Sequence, residues 1–248
     1  MKVNLVLSGG AARGIAHIGV IRALEELGFE IASISGVSAG ALVGAFYCAG
    51  YKPDDMLKIV VSKSWLRYIR PKVPKLGFFS LNRATAFLHK HLHVERIEEL
   101  RRELWITALD INSGRTLHFN SGELYPILLG SCALPGVFEP VKYGEFTLID
   151  GGVTNNLPVE PLLGKKGLLI GVDVNPTLQG ESLRNIFQIL MRSFLLAVRS
   201  NVDKRKELCH VVIEPELHRF STVDLWKAKD IYGLGYKKTL QVMKAYVQ

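Results

Sequence analysis

The chain has 248 residues, 48% of them hydrophobic, enough for one large domain with its own core. Its 31 basic and 23 acidic residues leave a net charge of +8, and its three cysteines are too few for a disulfide scaffold. The basic excess favours anionic partners, but no RNA-binding strand signature, finger spacing or glycine-bracketed clamp occurs, so nucleic acid is not the expected partner.

"KVNLVLS" at residues 2–8 reads as a strand buried on both faces, and it turns at once into the glycine loop "GGAARG". It lacks the basic start, apolar core and cleavage site of a secretory signal. Residues 15–28 place apolar side chains at helical spacing and stop at Gly28. From Ile31 to Tyr51 there are 21 residues without a charge, about the number a membrane-spanning helix needs. Four glycines and three serines in that window argue instead for a strand, "IASIS", an elbow, and a helix closed by Gly50. Pro53, Asp54 and Asp55 open a further helix expected to run to about Ser64. Strand, loop and helix thus recur twice in fifty residues, the pattern of an α/β fold with a largely parallel sheet and right-handed crossovers.

Residues 58–103 interrupt this rhythm and are expected to form a basic, cap-like insertion within a single domain spanning residues 1–248. Between Lys58 and Arg102 there are eleven Lys or Arg and three Glu. The segment Lys63–Phe79 mixes five basic residues with Trp65, Leu66, Tyr68, Ile69, Phe78 and Phe79. That mixture suits peripheral contact with an anionic membrane surface, and it suits equally an ordinary packed lid. "RATAFLHKHL" reads as a short helix capped by Ser80 or Asn82. "LWITALDI" and "RTLHFN" read as strands joined by "NSG", "ELYPILLGSCA" as a helix, "GVFEPVKY" and "EFTLID" as a hairpin, and "GLLIGVDV" as another buried strand. Residues 182–208 read as a long amphipathic helix and "CHVVIEP" as a late strand. The closing helix is expected to break near Gly233 and Gly235. Cys48, Cys132 and Cys209 are expected to be buried reduced thiols, which with the missing signal suggests a cytoplasmic protein, peripheral at most on the inner face of the membrane.

Two stretches carry chemistry. Gly36-Val37-Ser38-Ala39-Gly40 matches G-x-S-x-G between an apolar strand and a helix. Small neighbours let the backbone turn sharply, so the Ser38 hydroxyl projects where a substrate can reach it. The loop at Gly9, Gly10, Ala11, Ala12, Arg13 and Gly14 follows the first strand and opens the first helix, where amides lack intrahelical partners. In a parallel sheet two such loops meet at the carboxyl ends of neighbouring strands. The Gly10, Ala11 and Ala12 amides are therefore candidates to stabilise an oxyanion formed at Ser38. The loop fails the G-x-G-x-x-G spacing of a dinucleotide cradle and lacks the Gly-Lys-Ser/Thr ending of a P-loop, so no cofactor is expected.

The base is less plain. Of seven histidines, His17 lies within the first helix, His89, His91 and His93 form a trio unsuited to one helix face, His118 lies on a strand and His210 at a strand edge. The trio gives no expectation of a metal site. His218 is the only late-loop candidate for a histidine base. Asp150, at the end of an apolar strand and before two glycines, is the carboxylate alternative, although an unperturbed aspartate near pKa 3.9 is a weak base.

In the order of "LSGGAARGIAHIGVI", "GVSAG", "SCALPGVFEPV" and "DGGVTNNLPV", the chain resembles the bacterial branch of the patatin-like phospholipase family over most of residues 3–175. The resemblance implies a three-layer α/β/α fold and a Ser–Asp dyad. Ser38 would attack an acyl ester and Asp150 would accept its proton. Gly9, Gly10, Ala11 and Arg13 match the family's oxyanion loop, with Ala11 standing where the family usually has a third glycine. The implied substrate is a lipid acyl ester, phospholipid or lysophospholipid. A lipid acyltransferase using the same dyad and a non-catalytic lipid-binding module are the alternatives.

Overall fold

In the computed structural model the described residues are 1–62, 70–71, 77–80, 84–175 and 186–247. β1 (Lys2–Leu7) is followed by a short 3-10 turn, α1 (Ala16–Glu26), β2 (Glu30–Val37) and α2 (Ala39–Cys48). α3 (Pro53–Val61) starts with proline at its first position and two aspartates in its first turn, which suits the unpaired amides there. β3 (Arg70–Pro71), β4 (Gly77–Ser80) and α4 (Ala84–Leu92) precede β5 (Glu103–Asp110) and β6 (Arg115–Phe119). α5 (Leu124–Ser131), β7 (Gly136–Phe138), β8 (Val141–Tyr143) and β9 (Phe146–Asp150) come next. β10 (Leu168–Val172), α6 (Ile186–Lys206), β11 (Val211–Ile213) and α7 (Ala228–Met243) close the chain.

The main sheet has the order β11-β10-β1-β2-β5-β9-β8, with β6 also paired to β5. Its five strands from β11 to β5 are parallel, and β6, β9 and β8 are antiparallel additions. A central parallel strand is covered on both faces, so it reads as a continuous apolar run. β1 obeys this except at Asn4, which is buried and accepts from the Ser33 hydroxyl: Val3, Leu5 and Leu7 pack into one core with α1, α2, α5 and α7, while Val6 packs into a second with Val198 and Val202 of α6. Helices therefore cover both faces of the sheet, and the α/β/α arrangement follows.

The expected break in the last helix does not occur, and α7 runs through Gly233 and Gly235. A methyl group at Gly235 would lie 2.1 Å from the Ala16 carbonyl oxygen, and one at Gly19 would lie 2.1 Å from that of Tyr232. The two glycines let α1 and α7 cross at close range, and this packing outweighs the roughly 1 kcal/mol that glycine costs a helix interior. The "GVFEPVKY" stretch also divides differently from expectation. β8 and β9 form the hairpin, while β7 joins β4 and β3 in a separate three-stranded sheet. Leu88, Leu92, Ile97 and Leu100, all from the interrupting region, are buried in the main core. Most of Lys63–Phe79, and Asn82, lie outside the described residues. Among the described residues no helix is long and apolar enough to cross a membrane. Cys48 is fully buried, whereas Cys132 and Cys209 are partly exposed, and none of the three is in a disulfide.

Candidate active site

Ser38 stands alone between β2 and α2, with φ 53° and ψ −123°. Side-chain-bearing residues avoid this region, at a cost of about 1–3 kcal/mol, so the surroundings must impose it. The Ser38 amide donates to Ser131 Oγ at 2.9 Å, and the Ser131 hydroxyl donates to the Thr107 carbonyl at 2.6 Å. The Ser38 carbonyl accepts from the Leu42 amide at 3.0 Å. A methyl group at Gly40 would meet the Leu7 carbonyl oxygen at 2.3 Å, and one at Gly36 would meet the Ala41 nitrogen at 2.7 Å. Both small residues are thus required by the turn itself. Val37 is buried, while Ser38 and Ala39 retain access to solvent.

The neighbouring loop comes close enough that a methyl group at Gly9 would lie 3.3 Å from Ser38 Cβ. Its peptide groups are held one after another. The Ser8 carbonyl lies 2.8 Å from His17 Nε2, and the Gly9 amide donates to Asn156 Oδ1 at 3.2 Å. The Gly9 carbonyl accepts from Asn175 Nδ2 at 2.8 Å, and the Gly10 carbonyl accepts from the Arg13 amide at 3.0 Å. The Ala12 amide donates to the Thr222 carbonyl at 3.1 Å. Among the described residues the amides of Gly10 and Ala11 have no acceptor, and Ala11 is exposed. Ala11 itself has φ 48°, a left-handed conformation that suits the glycine usual at this position. Arg13 is buried: Nε donates to the Phe220 carbonyl at 2.7 Å and Nη1 to Asn175 Oδ1 at 3.2 Å. Gly14 packs against Ala39, where a methyl group would come within 2.5 Å of the Ala39 Cβ.

Asp150 ends β9, where its register partner on β5 is Ala108. It is buried, its amide donates to the Ala133 carbonyl at 3.0 Å, and Oδ1 accepts from the Gly152 amide at 2.8 Å. The Ser38 side chain lies close enough to its carboxylate to lower its pKa. Burial pushes the Asp150 pKa up from 3.8 to about 6, against the lowering effect of the Ser38 and Gly152 donors. Asn156 stands between the aspartate turn and the loop: its Oδ1 takes the Gly9 amide, and a methyl group at Gly152 would lie 2.8 Å from it.

The histidines lie elsewhere. His17 is buried beneath the loop, and burial lowers its pKa to about 4, so it is neutral at pH 7. His118 Nδ1 meets Thr107 Oγ1 at 2.8 Å, and His210 Nδ1 accepts from the Leu169 amide at 2.9 Å. His89 pairs with Glu95, and His91 packs among Phe46, Tyr51 and Phe87. His218 is exposed. No group of three His, Cys, Asp or Glu suited to a metal ion occurs among the described residues. A surface hollow lined in part by Lys2, Glu30, Tyr47, Arg101, Arg102 and Glu103 lies at the amino ends of β1, β2 and β5, opposite Ser38.

Three residues of this arrangement escaped the sequence reading: Ser131, Asn156 and Asn175. Ser131 and Asn156 lie inside stretches already singled out, "SCALPG" and "TNNLPV", where a polar residue among apolar ones was the signal. Asn175 follows a buried strand with nothing local to mark it.

The chain is 33% identical over 184 residues to an uncharacterized NTE family protein of Mycobacterium tuberculosis, covering 73% of this chain and 51% of that protein. It is 26% identical over 282 residues to the lysophospholipase nte1 of Aspergillus fumigatus, covering 98% of this chain and 18% of that protein. It therefore spans about half the length of the mycobacterial relative and less than a fifth of the fungal one. Among solved structures, VipD from Legionella pneumophila superposes with a TM-score of 0.56 at 14% identity, over 98% of this chain and 66% of that one, a likeness of fold. The sequence profile described as patatin-like phospholipase matches residues 5–163, a span that holds the glycine loop, Ser38 and Asp150, and the chain belongs to that family.

Proposed function

We propose that this chain hydrolyses lipid acyl esters, of phospholipids or lysophospholipids, through an acyl-enzyme on Ser38 with Asp150 as the base. The observation that carries this reading is the proximity of a strained, accessible serine to a buried carboxylate whose pKa is raised to about 6. A carboxylate near pKa 4 holds a proton too weakly to serve well at neutral pH, and desolvation moves it toward the useful range. Ser38 Oγ attacks the acyl carbonyl carbon and its proton passes to Asp150. The negative charge on the former carbonyl oxygen is met by the Gly10 and Ala11 amides, a narrower set than the six loop residues, since the Gly9, Ala12 and Arg13 amides have other acceptors. Collapse expels the alcohol, which takes the proton from Asp150. Water then gives a proton to Asp150 and attacks the acyl carbon, and collapse frees the fatty acid as Ser38 Oγ leaves and takes that proton back from Asp150. The lipid substrate class rests on the family and on the lysophospholipase named above.

A fluorophosphonate probe should add its mass to the peptide holding Ser38, and Ser38→Ala should abolish the adduct. Labelling at another serine alone would exclude the reading. The basic and aromatic composition of Lys63–Phe79 supports docking on anionic lipid. Arg67, Arg70, Lys72 and Lys75 changed together to glutamine should weaken sedimentation with anionic liposomes in low salt, while hydrolysis of a short soluble ester stays near wild type. Undiminished sedimentation would remove that role.

A further inference from the structure

We infer that Asn175 is a positioning residue for the oxyanion site: its side-chain amide turns the Gly9–Gly10 peptide so that the Gly10 N–H faces the reacting carbonyl. This rests on the hydrolase reading above and adds to it a residue beyond the span 5–163 that the family profile matches.

The argument begins with the peptide bond. A trans peptide is planar, with C=O and N–H on opposite sides, so whatever holds the carbonyl of one residue also directs the amide of the next. Asn175 Nδ2 holds the Gly9 carbonyl at 2.8 Å, and the Gly10 amide must therefore point away from Asn175. A methyl group at Gly9 would touch Ser38 Cβ on one side, while one at Gly10 would lie 3.1 Å from Asn175 Nδ2 on the other, so the loop is wedged between the two residues. The next carbonyl, of Gly10, is held locally by the Arg13 amide. Glycine at positions 9 and 10 gives these two peptides rotational freedom that no side chain of their own limits, so an external anchor is needed.

Asn175 is built to be that anchor. It is buried, and its amide group has one consistent orientation: Arg13 Nη1 can only donate, so Oδ1 must face it, and Nδ2 is left for the Gly9 carbonyl, which can only accept. Its backbone amide donates to Asp173 Oδ1 at 2.8 Å. Asp173 in turn pairs with Lys206 of α6 at 2.7 Å, and Val174 donates its amide to Ser8 Oγ at 3.0 Å. The anchor is thus tied to the sheet end and to the helix on the far face.

Asn175→Asp and Asn175→Ala separate the alternatives. Both remove the donor to the Gly9 carbonyl, and only Asn175→Asp keeps an acceptor for Arg13. With a short aryl ester, and with rates divided by the fluorophosphonate-titrated Ser38 concentration, kcat should fall in both by roughly 10–100-fold while KM changes little. Inhibition by a trifluoromethyl ketone, whose carbonyl takes up Ser38 to form an oxyanion, should weaken by the same factor as kcat/KM. The pH midpoint near 6, set by Asp150, should stay in place. A residue that only supports folding would lower the titrated fraction and leave kcat per site unchanged, and that result would overturn the inference. So would a loss confined to Asn175→Ala. Should neither variant fold, amide NMR of the wild-type protein decides: on formation of the ketone adduct the Gly10 amide proton should move downfield more than that of Gly9, and an unmoved Gly10 would refute the assignment. Absence of any Ser38 titration in the wild-type protein would instead count against the hydrolase reading.

Discussion

Asp110 and Asp150 stand on neighbouring antiparallel strands, two rungs apart on the same ladder, and each is only 5% exposed. Their acidities nonetheless move in opposite directions. Asp110 sits where β5 turns toward β6, beside exposed residues 111–114, and receives four donors: the Ser113 hydroxyl at 2.6 Å and the Thr147, Ser113 and Asn112 amides. The Ser113 hydroxyl, and then the Thr147 amide, hold its carboxyl below the ordinary carboxylate range. Asp150 is set deep beside β5 and the Ala133 turn, with only the Gly152 amide and the nearby Ser38 side chain to lower its pKa, and desolvation prevails. The difference teaches that a covered side chain does not by itself raise a carboxyl pKa. The balance between the donors and the water excluded around them decides, and a carboxyl pKa rises where donors are scarce.

Exchanging each carboxylate for its amide tests this most severely. Asp150→Asn should lower ester turnover by roughly 10³–10⁴-fold, whereas Asp110→Asn should leave turnover near wild type and lower the melting temperature, because an NH₂ group would then face donors. Equal losses of turnover would break the comparison. In the wild-type enzyme kcat/KM should rise with pH through a midpoint of about 6 as Asp150 loses its proton. Stability carries the opposite sign. With its folded pKa raised from 3.8 to about 6, ionised Asp150 disfavours the folded state. That penalty, on the order of 3 kcal/mol, is full above about pH 6 and disappears as pH falls toward the unfolded value. Asp150→Asn should therefore melt higher than wild type at pH 8, by about 5 °C, and the advantage should shrink by pH 4.

Ser131→Ala acts on the same ladder at one remove. It removes the acceptor of the Ser38 amide and the donor to Thr107, both buried, and should cost about 2–4 kcal/mol of stability and about tenfold in turnover. Denaturant melts and single-turnover rates read the two separately, and an unchanged rate would show that the elbow holds its shape without Ser131. Ala11→Gly is the mildest change. It relieves a left-handed alanine and should stabilise by at most about 1 kcal/mol, since part of the gain is offset by the freer unfolded chain. A loss of stability would mean that the Ala11 methyl makes a contact worth more than its strain.

Where sequence reading succeeded, the physics was local. The need for small residues around Ser38 arises within five positions, so G-x-S-x-G between an apolar strand and a helix was legible before any fold was known. The same holds for β1, whose apolar run, interrupted only by Asn4, demands cover on both faces, and for α3, where Pro53 and two acids suit the open end of a helix. Gly235 is the counterexample. Its local propensity argued for a break in the last helix, and the α1 crossing, 219 positions away at Ala16, made it a point of closest contact instead.

The sequence by itself determined the two turns and marked Asp150 as a strand-ending acid, because each of those features is a constraint on neighbours along the chain. Only the tertiary structure decided which acid meets Ser38, and which loop amides are left without an acceptor. Asp150 reaches the serine because β9 pairs with β5, and Ser131 links β5 to the elbow. Asn175 reaches Gly9 because the parallel register sets Leu7 of β1 opposite Val172 of β10, so the residues leaving both strands emerge side by side. Nothing within several residues of Asn175 distinguishes it from any polar residue that ends a strand. Its partner lies 166 positions away, and only sheet register brings the two within a hydrogen bond.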